Sequence, residues 1–157
     1  MNDSVRITDP RRPSATATVR AYLELTKPRI IELLLTTTLP AMILAAGGWP
    51  GWWLAIATLI GGTLSAGGAN VINQVMDADI DRVMRRTRGR PLPTHRVGAR
   101  SAMVFGVTLG IAGFAWLLMM TNVLAALLST AGLLFYVLVY TLVLKRTSTQ
   151  NIVIGGA

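Results

Sequence analysis

Four stretches of this chain, about Ile30 to Ala46, Trp52 to Asn73, Ala102 to Met120 and Val123 to Leu144, are almost free of charge and rich in aliphatic residues. Each is near the roughly 17–25 residues that carry an α-helix across a bilayer. Inside lipid the backbone must satisfy its own hydrogen bonds, and runs of this length do so as helices. The chain therefore reads as all-α, a polytopic transmembrane helix bundle with four complete spans and, from Asn151 to Ala157, the start of a fifth. Composition agrees, since 52% of residues are hydrophobic and 14% charged, too few charges to cover a soluble domain.

A formal charge of +8 would suggest nucleic-acid binding in a soluble protein. Here the charge is sorted. All fifteen Lys and Arg lie before the first run, between the second and third, or just after the fourth, and none lies in the intervening GGWPG and TN turns. By the positive-inside bias, the N-terminus, the segment after Asn70 and Lys145–Arg146 are expected on the cytoplasmic side, most simply of a bacterial cell membrane. Trp49, Trp52 and Trp53 then fall at the opposite interface. Nucleic acid is excluded as a partner, and the lipid bilayer becomes the first one. Residues 1–20, with four arginines and two prolines, read as a basic disordered arm. No cleavage-like site follows a compact apolar core, which argues against a signal peptide; a transit peptide is the other reading. Residues 21–157 read as the membrane domain, with an Asp-rich cytoplasmic loop over 70–100. There is no cysteine, hence no disulfide, thiolate or Cys-based metal site.

The stretch NVINQVMDADIDRVMRRTRGRPLP, Asn70 to Pro93, follows directly on the second apolar run. On a helix advancing about 100° per residue, Asn73, Asp77 and Asp81 share one stripe, and Asn70 joins it one turn earlier. Asp79 falls nearly opposite. Carboxylates facing one way at this depth repel each other and are costly to desolvate unless a cation joins them. Oxygen ligands suit Mg²⁺, which keeps waters and bridges one or two carboxylates to substrate phosphates. Arg82, Arg85, Arg86, Arg88 and Arg90 follow at once, and guanidinium groups suit phosphate. The pattern predicts a metal–diphosphate site at the cytoplasmic mouth of the bundle. For the arginines alone, fixing topology and binding anionic lipid is the competing reading. Gly61, Gly62, Ser65, Gly67 and Gly68 predict close helix packing, and Pro40 a kink in the first span. Glu32 is expected to pair with Arg29 or face the headgroups, His95 to lie in a polar loop, and Asn122 to be a turn residue.

NQVMDADID has the form N-x-x-x-D-x-x-x-D and resembles the first aspartate-rich motif of the UbiA superfamily of intramembrane prenyltransferases. LELTKPRIIELLL, MRRTRGRPL and YTLVLKRTSTQNIVIGGA resemble, within that superfamily, the haem O synthase branch, over roughly Ala21 to Ala157. The resemblance implies farnesyl diphosphate held by Mg²⁺ on aspartate motifs and a protohaem IX vinyl group as acceptor. It implies Asn73, Asp77 and Asp81 as the metal-binding and catalytic set, and Arg85, Arg86, Arg90, Lys145 and Arg146 as diphosphate contacts. Asn70, Tyr136, Tyr140, Lys27, Arg29 and Asn151 would line the substrate pocket. The ring faces of Tyr136 and Tyr140 suit an allylic cation, although a packed aromatic pair near an interface is an equal reading. Interface anchoring is likewise an equal reading for Lys27 and Arg29. Haem A synthase or oxidase assembly factors are the implied protein partners.

The superfamily also implies further helices and a second aspartate-rich motif, yet no Asp or Glu follows Asp81. The chain is accordingly expected to be a fragment or truncation, inactive alone. Two other readings stay open: a superfamily prenyltransferase with another acceptor (a quinone precursor, tetrapyrrole or lipid), or a non-catalytic membrane scaffold or cation-handling protein.

Overall fold

The computed structural model describes residues 14–147. Residues 1–13 and 148–157 lie outside the described residues, and with them Asn151 and the expected start of a fifth span. Helix α1 (Ala15–Thr26) is opened by the Ser14 hydroxyl, which accepts from the Ala17 N–H at 3.2 Å. The expectation of a disordered arm over residues 1–20 fails at Ala15 to Arg20, which are helical. Lys27 then turns the chain in the left-handed region (φ 54°, ψ 67°), and Pro28 begins α2 (Pro28–Ala46) at its first position. Helix α2 continues through Pro40 and stops at Gly47, whose positive φ of 64° no β-carbon opposes.

Three further spans follow. Helix α3 (Trp52–Met76) is the longest, and α4 (Ala78–Val83) extends it after a break at Asp77. Helix α5 (Ala99–Met120) returns across the membrane. The fourth span comprises α6 (Val123–Leu134) and a π-helical segment, Phe135–Leu144, before the short α7 (Lys145–Thr147). Asn122 does more than turn the chain: its side-chain oxygen caps α6 by accepting from the Ala125 N–H at 2.8 Å. Four helical segments, Pro28–Ala46, Trp52–Met76, Ala99–Met120 and Val123–Leu144, are long and apolar enough to cross a membrane. Trp49, Trp52 and Trp53 are exposed at the end of the bundle remote from Asp77. The expected loop over 70–100 is shorter than anticipated, since residues up to Met76 stay in α3.

Helix α3 is the most buried span and is packed chiefly against α5. Small residues permit this, as the run from Gly61 to Gly68 anticipates. A β-carbon on Gly68 would stand 2.7 Å from the Gly106 carbonyl oxygen and 2.8 Å from the Gly110 nitrogen, both backbone atoms. In lipid such contact supplies helix association that the hydrophobic effect does not. Gly68→Ala is expected to destabilise the α3–α5 pair by about 1–3 kcal/mol, as overpacking does. Unfolding in detergent by titrated denaturant, against Gly62→Ala, measures this; a β-carbon on Gly62 meets nothing within 4 Å.

At the Asp77 end, α1 lies over the connection between α4 and α5. Ala21 and Leu25 of α1 are buried with Val71 of α3, Ala102 of α5, and Leu92 and Val97 of the connection. Tyr22 meets Phe105 edge to face at 5.0 Å. Arg96 ties the connection to α1, its guanidinium donating to Glu24 at 2.9 Å and to the Gly89 carbonyl at 3.2 Å. His95 is exposed, in the left-handed region at φ 57°, and Glu32 and Arg29 are exposed too.

Candidate functional site

The site forms where α3 ends. Asp77 takes φ −90° and ψ 2°, which breaks α3 from α4, yet four-residue bonds persist across the break: Asp77 N–H to the Asn73 carbonyl (2.9 Å) and Asp81 N–H to the Asp77 carbonyl (2.8 Å). The expected stripe therefore survives. Asn70, Asn73, Asp77 and Asp81 are all buried, while Asp79 is exposed.

Each stripe residue from Asn73 onward is met by a cation. The Lys27 ammonium donates to Asn73 Oδ1 at 3.2 Å, and Asn73 Nδ2 donates to the Thr141 hydroxyl at 2.9 Å. Lysine only donates, so this pairing fixes which end of the amide faces which partner. Lys145 pairs with Asp77 Oδ2. One guanidinium nitrogen of Arg90 donates to both oxygens of Asp81, at 2.9 and 2.7 Å. Thr87 closes the turn by donating to the Asp81 carbonyl at 3.1 Å. Three cations from three distant segments thus converge on one helix end.

The π-helical segment supplies Thr141 and leads directly into Lys145. Thr141 donates to the Tyr136 carbonyl five residues back at 2.9 Å and receives Asn73, while Lys145 follows four residues later. Single π turns are frequent at functional sites, and here the winding extends over Phe135–Leu144.

Of the remaining expected residues, Arg85 and Arg86 are exposed, and among the described residues no hydrogen bond joins them to the stripe. Arg29 is exposed as well. The side chain of Arg146 and all of Asn151 lie outside what is described. Tyr136 and Tyr140 stack on each other, centroids 5.4 Å apart and planes 13° from parallel. Each ring thus spends one face on the other. Tyr136 also lines, with Asn70, a largely apolar cavity of about 410 Å³ between α2, α3 and α6 whose walls include Ile30, Leu34, Leu128 and Leu133. Thr141 and Gln74 were not singled out by sequence. A hydroxyl in an otherwise apolar run four residues before Lys145 was the one available signal for Thr141.

Burial, and after it the positive charges of Arg90 and Lys145, pull the Lys27 ammonium down from 10.5 to about 8, with Asp77 and Asp81 opposing. The sign is set by the lowered value. Charged Lys27 costs folding stability below pH 8, and that cost is relieved as pH rises from about 8 toward 10.5. Anion binding runs the other way: affinity for magnesium pyrophosphate is expected to fall as pH rises through about 8. Titration calorimetry across that range checks this, and Lys27→Arg should flatten the profile.

Among the described residues, Asp77 Oδ1 is buried with no hydrogen-bond partner. A buried, unpartnered carboxylate oxygen is the donor expected of a hard-cation ligand. Among the described residues no group of three His, Cys, Asp or Glu could hold a metal by itself. The donor set does not fit a closed protein cage; it fits an ion that completes its shell with oxygen ligands from outside the protein.

The described residues thus form a helical bundle with a buried amide–carboxylate stripe ringed by cations. Residues 34–157 match the UbiA prenyltransferase family, and the chain belongs to that family. It is similar to Protoheme IX farnesyltransferase 2 of Saccharopolyspora erythraea, 60% identical over 147 residues, which is 94% of this chain and 45% of the relative. Protoheme IX farnesyltransferase of Clavibacter michiganensis is 59% identical over 138 residues, covering 88% of this chain and 45% of that protein. The protein of the same name from Mycobacteroides abscessus is 54% identical over 145 residues, covering 92% and 46%. The chain thus spans a little under half the length of these curated relatives. No solved structure matches it.

Proposed function

We propose that this chain contributes half of the site of a prenyltransferase that moves a farnesyl group from farnesyl diphosphate to a vinyl group of protohaem IX. The observation that carries this reading is the buried row Asn73, Asp77 and Asp81 with Lys27, Lys145 and Arg90 around it and one carboxylate oxygen of Asp77 unpartnered. The names borne by the relatives support the choice of donor and acceptor.

Asp77 and Asp81 would hold Mg²⁺, with Asn73 beside them; the ion would neutralise charge on the departing diphosphate. Lys27, Lys145 and Arg90 would each exchange part of their present contact for a phosphate oxygen. They favour the state in which the allylic C–O bond has broken and the electron pair has gone to the diphosphate. Stripe and cations are already in place, so little reorganisation is needed at that moment. The cavity beside Asn70 and Tyr136 suits the prenyl chain, because its aliphatic walls exclude water from an allylic cation. The exposed ring surface of Tyr136 faces the same space and favours positive charge. Among the described arginines Arg90 is the one paired with the stripe, which favours it over the exposed Arg85 and Arg86 as a phosphate contact. The site would open to the cytoplasmic face of a bacterial membrane.

The test is farnesyl transfer in membranes carrying this chain joined to the C-terminal portion of a curated relative, with Mg²⁺ and farnesyl diphosphate. Haem is the expected acceptor. Transfer to an aromatic acid instead would move the protein to another acceptor class, and Mg²⁺ binding with no transfer would favour a cation-handling role.

A further inference from the structure

The joint between α1 and α2 is held from outside. The last four carbonyls of a helix lack partners within it, and all four of α1 are accounted for. The Leu23 carbonyl accepts from the Thr26 hydroxyl at 2.8 Å, and that of Glu24 from the Lys27 N–H at 3.3 Å. The Leu25 carbonyl accepts from Gln74 Nε2 at 2.7 Å, and that of Thr26 from Asn70 Nδ2 at 3.0 Å. The final pair thus reach across to α3, 49 and 44 residues away. The residue immediately following them is Lys27.

Lys27 is one of two non-glycine residues among those described with positive φ. A long side chain in the left-handed region is disfavoured locally and persists where its surroundings over-determine it. Gln74 is among the most completely buried side chains of the described residues, at 2% exposure, and its amide nitrogen donates to the Leu25 carbonyl. That bond spends a buried amide on fixing the backbone two residues before a strained lysine. The strained turn carries the ammonium onto Asn73, within the same stripe to which Gln74 is adjacent in sequence.

We propose that Gln74, assisted by Asn70, is a positioning residue for Lys27, holding the turn at residues 25–27 so that the ammonium meets a diphosphate bound at the stripe. The inference rests on the diphosphate-site reading given above. Gln74 itself lies behind the turn and acts only through Lys27. A helix cap of ordinary kind would need only that the carbonyls be satisfied; the specific role requires that the ammonium's place depend on the amide.

The chain contains only two lysines, Lys27 and Lys145, so amine chemistry reads the site at two resolved points. The experiment is competitive labelling by an amine-reactive reagent on the chain in lipid vesicles, with and without magnesium pyrophosphate, quantified by mass spectrometry at each lysine. In the unaltered protein pyrophosphate is expected to slow labelling at both lysines, by about tenfold. Gln74→Met, similar in shape and without the donor, should abolish protection at Lys27 and leave it at Lys145. Lys27→Arg should leave Lys145 protected in either background.

Undiminished protection of Lys27 in Gln74→Met overturns the positioning role while leaving the diphosphate site standing. Protection lost at both lysines, in Gln74→Met and again in Gln74→Glu, means that Gln74 holds the whole end of the bundle and also overturns it. No protection at either lysine in the unaltered chain removes the diphosphate site, and this role with it.

Discussion

Asp77→Asn is expected to lower farnesyl transfer by about 10²–10³-fold in the completed protein, the range for losing one preorganised electrostatic partner of a reacting group. Asparagine keeps the shape, and its side-chain oxygen can still accept from Lys145, so packing is preserved. What it removes is the negative charge and the unpartnered Oδ1, which sits at 1% residue exposure. Lys145 is a third exposed and can rehydrate, so the bundle should still insert and fold. The loss should therefore fall on the rate of transfer with the helical content unchanged, measured by product formation beside circular dichroism on the same membranes. Activity retained within threefold would mean that Asp77 serves only to pair Lys145, and the proposed role for its free oxygen would have to be given up.

Arg90→Ala has a different expected signature, because it leaves a carboxylate behind. Asp81 is 5% exposed at its side chain, and one Arg90 nitrogen serves both its oxygens. Removing one partner of a buried pair costs about 3–5 kcal/mol; Arg90 is itself 31% exposed, which places the expectation at the lower end. The exposed Arg85 provides the contrast, since Arg85→Ala should stay within about 0.5 kcal/mol. Denaturant unfolding in micelles separates the two. Adding Asp81→Asn to Arg90→Ala should recover much of the loss, for the double variant no longer buries a lone charge. Equal effects of Arg85→Ala and Arg90→Ala would contradict the assignment of Arg90 alone to the site.

The spans were legible because bilayer thickness imposes a length and an apolar composition that local sequence must show. Asn73, Asp77 and Asp81 were legible for a related reason: a fixed helical period brings residues four apart onto one side, even through the break at Asp77. Partner choice was not legible. Lys27 reaches Asn73 across 46 residues and Lys145 reaches Asp77 across 68, distances that leave no periodic trace. Arg85, Arg86 and Arg90 look alike in MRRTRGRPL, and only the turn closed by Thr87 selects Arg90. The packing of α1 over the connection was not legible either. Its alternation of small and apolar residues is too weak to announce a buried face, which becomes visible only with Leu92 and Val97 against it.

The winding of residues 135–144 sets a phase for everything beyond it. On an ordinary helix each residue turns the chain by about 100°, so deleting a single residue between Tyr136 and Thr141 would swing the later side chains far around the axis. Thr141 would leave Asn73, and Lys145 would leave Asp77, although no residue of the site had been changed. This span should thus tolerate apolar exchanges at its exposed positions, such as Leu138 and Leu142, yet reject any change in its length. Chain length between Asn122 and Lys145 would then be as much a determinant of the site as any functional group in it.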